Sequence, residues 1–127
     1  MIYVDGASVY LPRGETASFD IVFGNILPDD VSNPAVWFQN DEIPENGTKI
    51  RFSIKVNNDK LRPVLCKDMV VWNGFVTIPF ETRDTRWLPF GEYSWDVRLF
   101  YDNVDEDDVN TPIAPHPFYI TEVVGNV

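Results

Sequence analysis

The residue types best suited to chemistry are few in this chain and lie far apart. Asp102, Asp105, Glu106, Asp107 and Asp108 form an acidic run, and Ca²⁺ takes about six to eight oxygens from such flexible loops. The spacing departs from the EF-hand pattern, because a loop opening at Asp102 puts Val104 third and Asp107 where glycine is required. The run therefore reads as the solvated tip of a hairpin rather than a calcium site. Cys66 is the only cysteine, so the chain has no internal disulfide framework. Its neighbours Leu61-Arg-Pro-Val-Leu suggest a strand in which the thiol behaves as a small buried apolar group. The only histidine, His116, stands between Pro115 and Pro117, and nothing in the sequence sets it beside Cys66 as a base. No supported Ser-His-Asp set, phosphate-cradling glycine loop, metal-type His/Cys cluster or carboxyl pair with split pKa values is visible. The expectation is a non-enzyme with no catalytic, cofactor or metal residues. Asn46-Gly47-Thr48 matches the N-glycosylation pattern but reads first as a turn.

Four tryptophans remain, Trp37, Trp72, Trp87 and Trp95. Exposed indoles stack on sugar rings or anchor protein interfaces. Trp95 shares the apolar parity of its segment and belongs to the core. Trp37 lies between Val36 and Phe38, and faces outward if those two face inward. Trp87 falls in a loop. Trp37 and Trp87 are accordingly the candidate interface residues.

The elements that must position these groups follow from length and pattern. The chain has 127 residues, 44% of them hydrophobic, enough for one domain over residues 1–127 that buries roughly two-thirds of its unfolded surface. The net charge of −10 argues against nucleic-acid binding, which needs a basic face. The charge is uneven: residues 49–67 carry six bases against one acid, and residues 84–127 nine acids against two bases. Such halves either neighbour each other in the fold or steer the chain onto a charged partner. No apolar run approaches the ~20 residues of a membrane span, and the first ten residues do not resemble a secretory leader.

Ten prolines and seven glycines break the chain too often for long helices. Lys49–Val56 and Glu92–Leu99 alternate strictly, with Ile50, Phe52, Ile54 and Val56 on one face of the first and Tyr93, Trp95, Val97 and Leu99 on one face of the second. A period of two is that of antiparallel strands with one face on a core. Ala17–Phe23, Phe75–Phe80, Phe118–Val123, Ser8–Leu11 and Val36–Phe38 follow less cleanly, and Pro79 argues for an edge or bulge. Asn46-Gly47 and Asn73-Gly74 suit type I′ turns, the second joining Val70–Trp72 to Phe75–Thr77 as a hairpin. The fold class is all-β, a β-sandwich or small barrel of seven to eight short strands.

The most informative segment is Asp84-Thr-Arg-Trp-Leu-Pro-Phe-Gly-Glu-Tyr-Ser-Trp95. It has the form of a tyrosine corner, where a Tyr hydroxyl bonds back to backbone just upstream as the chain crosses between sheets. Leu88, Gly91, Tyr93 and Trp95 are its structural residues, with Trp95 standing where immunoglobulin domains place a disulfide cysteine. Phe52-Ser-Ile-Lys55, this corner with Asp96-Val97-x-Leu99, Thr111-Pro112 and Phe118-x-Ile120-Thr121-Glu122-Val123-Val124 together resemble the small immunoglobulin-like domains of tailed-phage and prophage proteins. Among these are the N-terminal domains of upper baseplate proteins. The resemblance covers residues 50–124. It implies an immunoglobulin-like antiparallel β-sandwich and a non-enzymatic virion component of tail, baseplate or head. Such a component assembles in the bacterial cytoplasm without a signal peptide and packs against copies of itself or other virion proteins. The alternative is a carbohydrate-binding sandwich that uses exposed aromatics, and a third reading is a structural domain of a bacterial surface assembly.

Overall fold

The structure, a computed structural model, describes residues 1–24, 33–38, 43–56, 63–100 and 110–122, with backbone alone at Phe100 and 110–114. Nine strands and one turn of helix occur among them: β1 (Tyr3–Asp5), β2 (Ser8–Pro12), β3 (Ala17–Phe23), β4 (Ala35–Phe38), β5 (Lys49–Val56), β6 (Pro63–Val70), β7 (Phe75–Phe80), α1 (Thr82–Thr85), β8 (Gly91–Phe100) and β9 (Asn110–Thr121). They form a six-stranded sheet in the order β1-β2-β9-β8-β5-β6 and a three-stranded sheet in the order β4-β3-β7. No helix among the described residues is long and apolar enough to cross a membrane.

The all-β class holds, but the uniformly antiparallel arrangement of seven to eight strands does not. Both sheets are mixed, because β2 runs parallel to β9 and β3 parallel to β4. These pairings join segments remote in sequence or linked by a crossover, which local alternation cannot reveal. The alternating segments do form the central strands. β5 and β8 pair antiparallel from Lys49↔Phe100 to Val56↔Tyr93, so their apolar faces coincide.

Inward side chains of both sheets build one cluster. Phe19 of β3 lies about edge-on to Phe52 and Trp95 at 5.8 and 5.9 Å, and parallel to Phe80 at 6.0 Å. Phe118 closes the group against Phe52 and Phe80. Offset and edge-to-face rings of this kind add to the apolar area they bury. Trp95 is 1% exposed, and its indole N–H donates to the Ala7 carbonyl at 2.9 Å. His116 packs against Phe38 and Trp95, and that burial pushes its pKa down from the ordinary 6.5.

The Asn73-Gly74 turn has the positive φ values, 55° and 79°, that a type I′ turn needs. The hairpin it closes is only the single bridge Trp72↔Phe75, since the chain changes sheets between β6 and β7. At the other turn Gly47 alone takes a positive φ, and Thr48 N–H closes onto the Glu45 carbonyl, so Asn46-Gly47 is not type I′. Pro79 lies on β7, an edge strand as its missing donor requires.

On the opposite face of the six-stranded sheet, Lys55 Nζ meets Asp96 Oδ2 at 3.1 Å, with side chains only 11% and 9% exposed. Asp96 Oδ1 is buried without a hydrogen-bond partner. A buried pair of this kind resists loss of one member far more than loss of both. Asp96→Ala is expected to destabilise by about 3–5 kcal/mol in urea unfolding, whereas Lys55→Met combined with Asp96→Leu stays near neutral. The pH dependence carries a second expectation. A depressed folded pKa at His116 means that the unfolded chain binds its proton first, so stability declines as pH falls below 6.5. His116→Gln should remove that part of the slope in a melting-temperature profile against pH.

Candidate interaction surfaces

The Tyr93 corner is assembled from three short-range devices. Asp84 closes α1 by accepting the Glu81 N–H at 2.8 Å and pairs with Lys67 of β6 at 2.9 Å. Burial alone would raise the Asp84 pKa, but the Glu81 N–H and the Lys67 ammonium outweigh it and hold the carboxyl below its ordinary 3.8. The chain then turns through residues 86–90, with Arg86 N–H bonded to the Thr82 carbonyl and Leu88 N–H to the Thr85 carbonyl. Leu88 is half-buried against the core. Tyr93 donates its hydroxyl to the Pro89 carbonyl at 2.7 Å, and burial raises its pKa, keeping the phenol a donor. Gly91 enters β8 at φ 141°, a backbone state that favours glycine. From the other side, Gly14 N–H donates to Thr85 Oγ1 at 2.8 Å, tying the end of β2 to α1.

This fixed loop presents Trp87, 79% exposed, and Phe90. Trp37 sits differently. Val36 is buried and Phe38 packs on the core, so Trp37 shares the outer face of the three-stranded sheet with its register partner Val22. It is half-buried there, not an open ring. On the same face Asp20 is buried, accepting hydrogen bonds from Thr77 at 2.7 Å and Asn33 at 3.2 Å.

Sequence reasoning missed Trp72, which is 59% exposed. It follows β6, an eight-residue strand at the edge of its sheet. Val64 and Val70 are exposed on that strand, while Leu65 and Met69 pack on the core. The expected burial of Cys66 is corrected here: the thiol is exposed, 3.4 Å from Ser53 Oγ. It stands on the outward parity of β6 with Val64, Asp68 and Val70, and an edge strand has a neighbour on one side only. Nothing in the local sequence marks β6 as the edge.

A third aromatic group lies on the outer face of the six-stranded sheet. Tyr10 and Tyr119 stack at 4.6 Å and 10° between planes, with Tyr3 tilted beside Tyr10 at 5.7 Å. The Tyr119 hydroxyl donates to Glu92 at 2.9 Å, and that bond raises the Tyr119 pKa. The two stacked rings spend one face each on the other.

Among the described residues no group of three or more His, Cys, Asp or Glu side chains is placed to hold a metal ion. The acidic run Asp102–Asp108 lies outside the described residues. Tyr93→Phe leaves the Pro89 carbonyl without its donor and should cost about 1–2 kcal/mol in denaturant unfolding. Amide exchange should rise in residues 86–90 while β5 stays protected. Comparison with protein-family models, with curated proteins and with solved structures finds no match to this chain.

Proposed function

We propose that this chain is a non-enzymatic assembly domain, an immunoglobulin-like building block of tailed-phage or prophage virions that packs against copies of itself or neighbouring virion proteins. The observation that carries the reading is the β6 edge. Among the described residues no strand pairs beyond it, and Val64, Val70 and Trp72 lie exposed along it. An unpaired edge of this length offers a row of backbone donors and acceptors to another chain. The remaining edges are poorer templates: β1 has three residues, β4 has four, and β7 contains Pro79. The bases of β5 and β6 are largely neutralised within the chain, Arg51 by Asp68, Lys55 by Asp96 and Lys67 by Asp84, so the edge attracts a partner through backbone and apolar groups rather than charge.

The virion setting rests on the sequence resemblance of the Asp84–Leu99 segment and the closing strand. The carbohydrate reading draws no comparable support. The Tyr10 and Tyr119 rings face each other, and Arg86 lies over the Trp87 ring at 5.1 Å.

Light scattering after size exclusion, at low and high salt, tests the assembly reading. The expected result is a ring-sized oligomer such as a trimer or hexamer, as closed symmetry favours. Val64→Lys with Val70→Lys, both exposed and so expected to change stability by no more than about 0.5 kcal/mol, should reduce it to monomer. A monomer at every salt concentration overturns self-assembly.

A further inference from the structure

Among the described residues Arg13, Arg86 and Arg98 have no acidic partner. The ion pairs among the described residues are the N-terminus with Glu15, Arg51 with Asp68, Lys55 with Asp96, Lys67 with Asp84 and Arg83 with Glu81. Arg13 and Arg86 lie instead on aromatic rings, Arg13 4.0 Å from the centre of Phe90 and Arg86 5.1 Å from that of Trp87. A guanidinium held over a ring by its charge keeps its in-plane N–H donors for other partners.

The four residues lie on adjoining stretches of chain. A Cβ added at Gly14 would stand 4.0 Å from that of Arg86, so the residue after Arg13 lies beside the end of α1, and Arg13 itself reaches Phe90 of the loop that follows α1. The backbone under the patch is fixed at both ends, by Arg13 N–H on the Thr121 carbonyl and by Tyr93 on the Pro89 carbonyl. A partner meeting it has little ordering of loops to offset. Tryptophan and arginine on a rigid, exposed surface are the residue types that dominate binding energy at interfaces.

We propose that the Arg13–Phe90 and Arg86–Trp87 patch is a docking site for a second copy of this chain, which it meets through the carboxylates of the run Asp102–Asp108. The inference rests on the assembly reading but uses a surface separate from β6. Guanidinium forks match carboxylates, and residues 84–127 carry nine acids against two bases, five of them between Asp102 and Asp108. A contact between unlike patches is head-to-tail, which closes into a ring or extends as a filament according to the angle it sets.

The test is a titration of the full chain into a fluorescein-labelled peptide with the sequence of residues 101–109, followed by anisotropy. Saturable binding that weakens with salt is expected. Arg13→Ala with Arg86→Ala should weaken it more than about tenfold, and Trp87→Ala separately should weaken it too. A control peptide with Asn and Gln in place of its acids should not bind. Circular dichroism of each variant confirms that the fold is kept. Absence of binding, unchanged binding by the variants, or equal binding of the control peptide overturns the proposal. So does tighter binding of a single-stranded oligonucleotide. Scattering separates the two ideas: an oligomer that persists without peptide binding leaves the β6 reading standing, and peptide binding by a variant with a blocked β6 leaves this one.

Discussion

Everything in this fold converges on the need to bury one indole and satisfy its N–H. Trp95 reaches Phe19 of β3, Phe38 of β4, Phe52 of β5 and His116 of β9, so a single ring touches both sheets. A chain with one cysteine has no disulfide to hold the sheets together, and ring volume does so instead. The polar end of the indole would be costly if left unpaired in that core. Ala7 supplies the acceptor, and Ala7 sits between β1 and β2. The hydrogen bond therefore anchors the N-terminal hairpin at the place where β2 lies parallel to β9.

Tyr93 stands two residues before Trp95 on the same face of β8, which is why core and corner act as one unit. Period-two alternation puts both rings inward, one filling the centre and the other reaching the rim, where its hydroxyl bonds the Pro89 carbonyl. The loop between α1 and β8 is thereby made part of the core's boundary rather than an appendage. Trp87 and Phe90 are exposed on a backbone that cannot withdraw them. An exposed tryptophan on a loose loop would collapse onto the surface; on this loop it stays out.

The sequence makes legible what depends on one strand's two faces. β3, β5, β7 and β8 match their alternating segments closely, because each turns one apolar face to the core, although Asp20 and Val22 of β3, Lys55 of β5 and Asp96 of β8 are buried on the other face as well. The pattern marks β9 only from Phe118, yet the strand begins at Asn110. Pro112, Pro115 and Pro117 suggest an interruption there, but the strand tolerates them through register shifts against β8 near Trp95, Val97 and Leu99. Strand order, parallel pairing and the identity of the edge are relations between distant segments, and no local pattern encodes them. The exposure of Cys66 and of Trp72 is hidden for that reason. The hydroxyl partner of Tyr93 was legible because donor and acceptor are four residues apart. The contact of Arg13 with Phe90 was not, because it joins residues far apart in the sequence.

Net charge sets the terms on which such a surface can work. Two copies carrying −10 each repel, but at physiological ionic strength that repulsion decays over about 8 Å. Contact is then decided by what lies within a few ångströms of the touching patches, and there the chain is not uniformly acidic. Arg51, Lys55 and Lys67 of β5 and β6 are spent on Asp68, Asp96 and Asp84, while Arg13 and Arg86 occupy the corner without an acidic partner among the described residues. Added salt relieves the long-range repulsion and weakens the local attraction at the same time, so the two respond to ionic strength with opposite sign. In the assembly proposed above, an acidic chain of this design would stay apart from its copies except in the few orientations that bring cation and aromatic side chains into register. The excess of acid would then act as a filter on geometry rather than a bar to association.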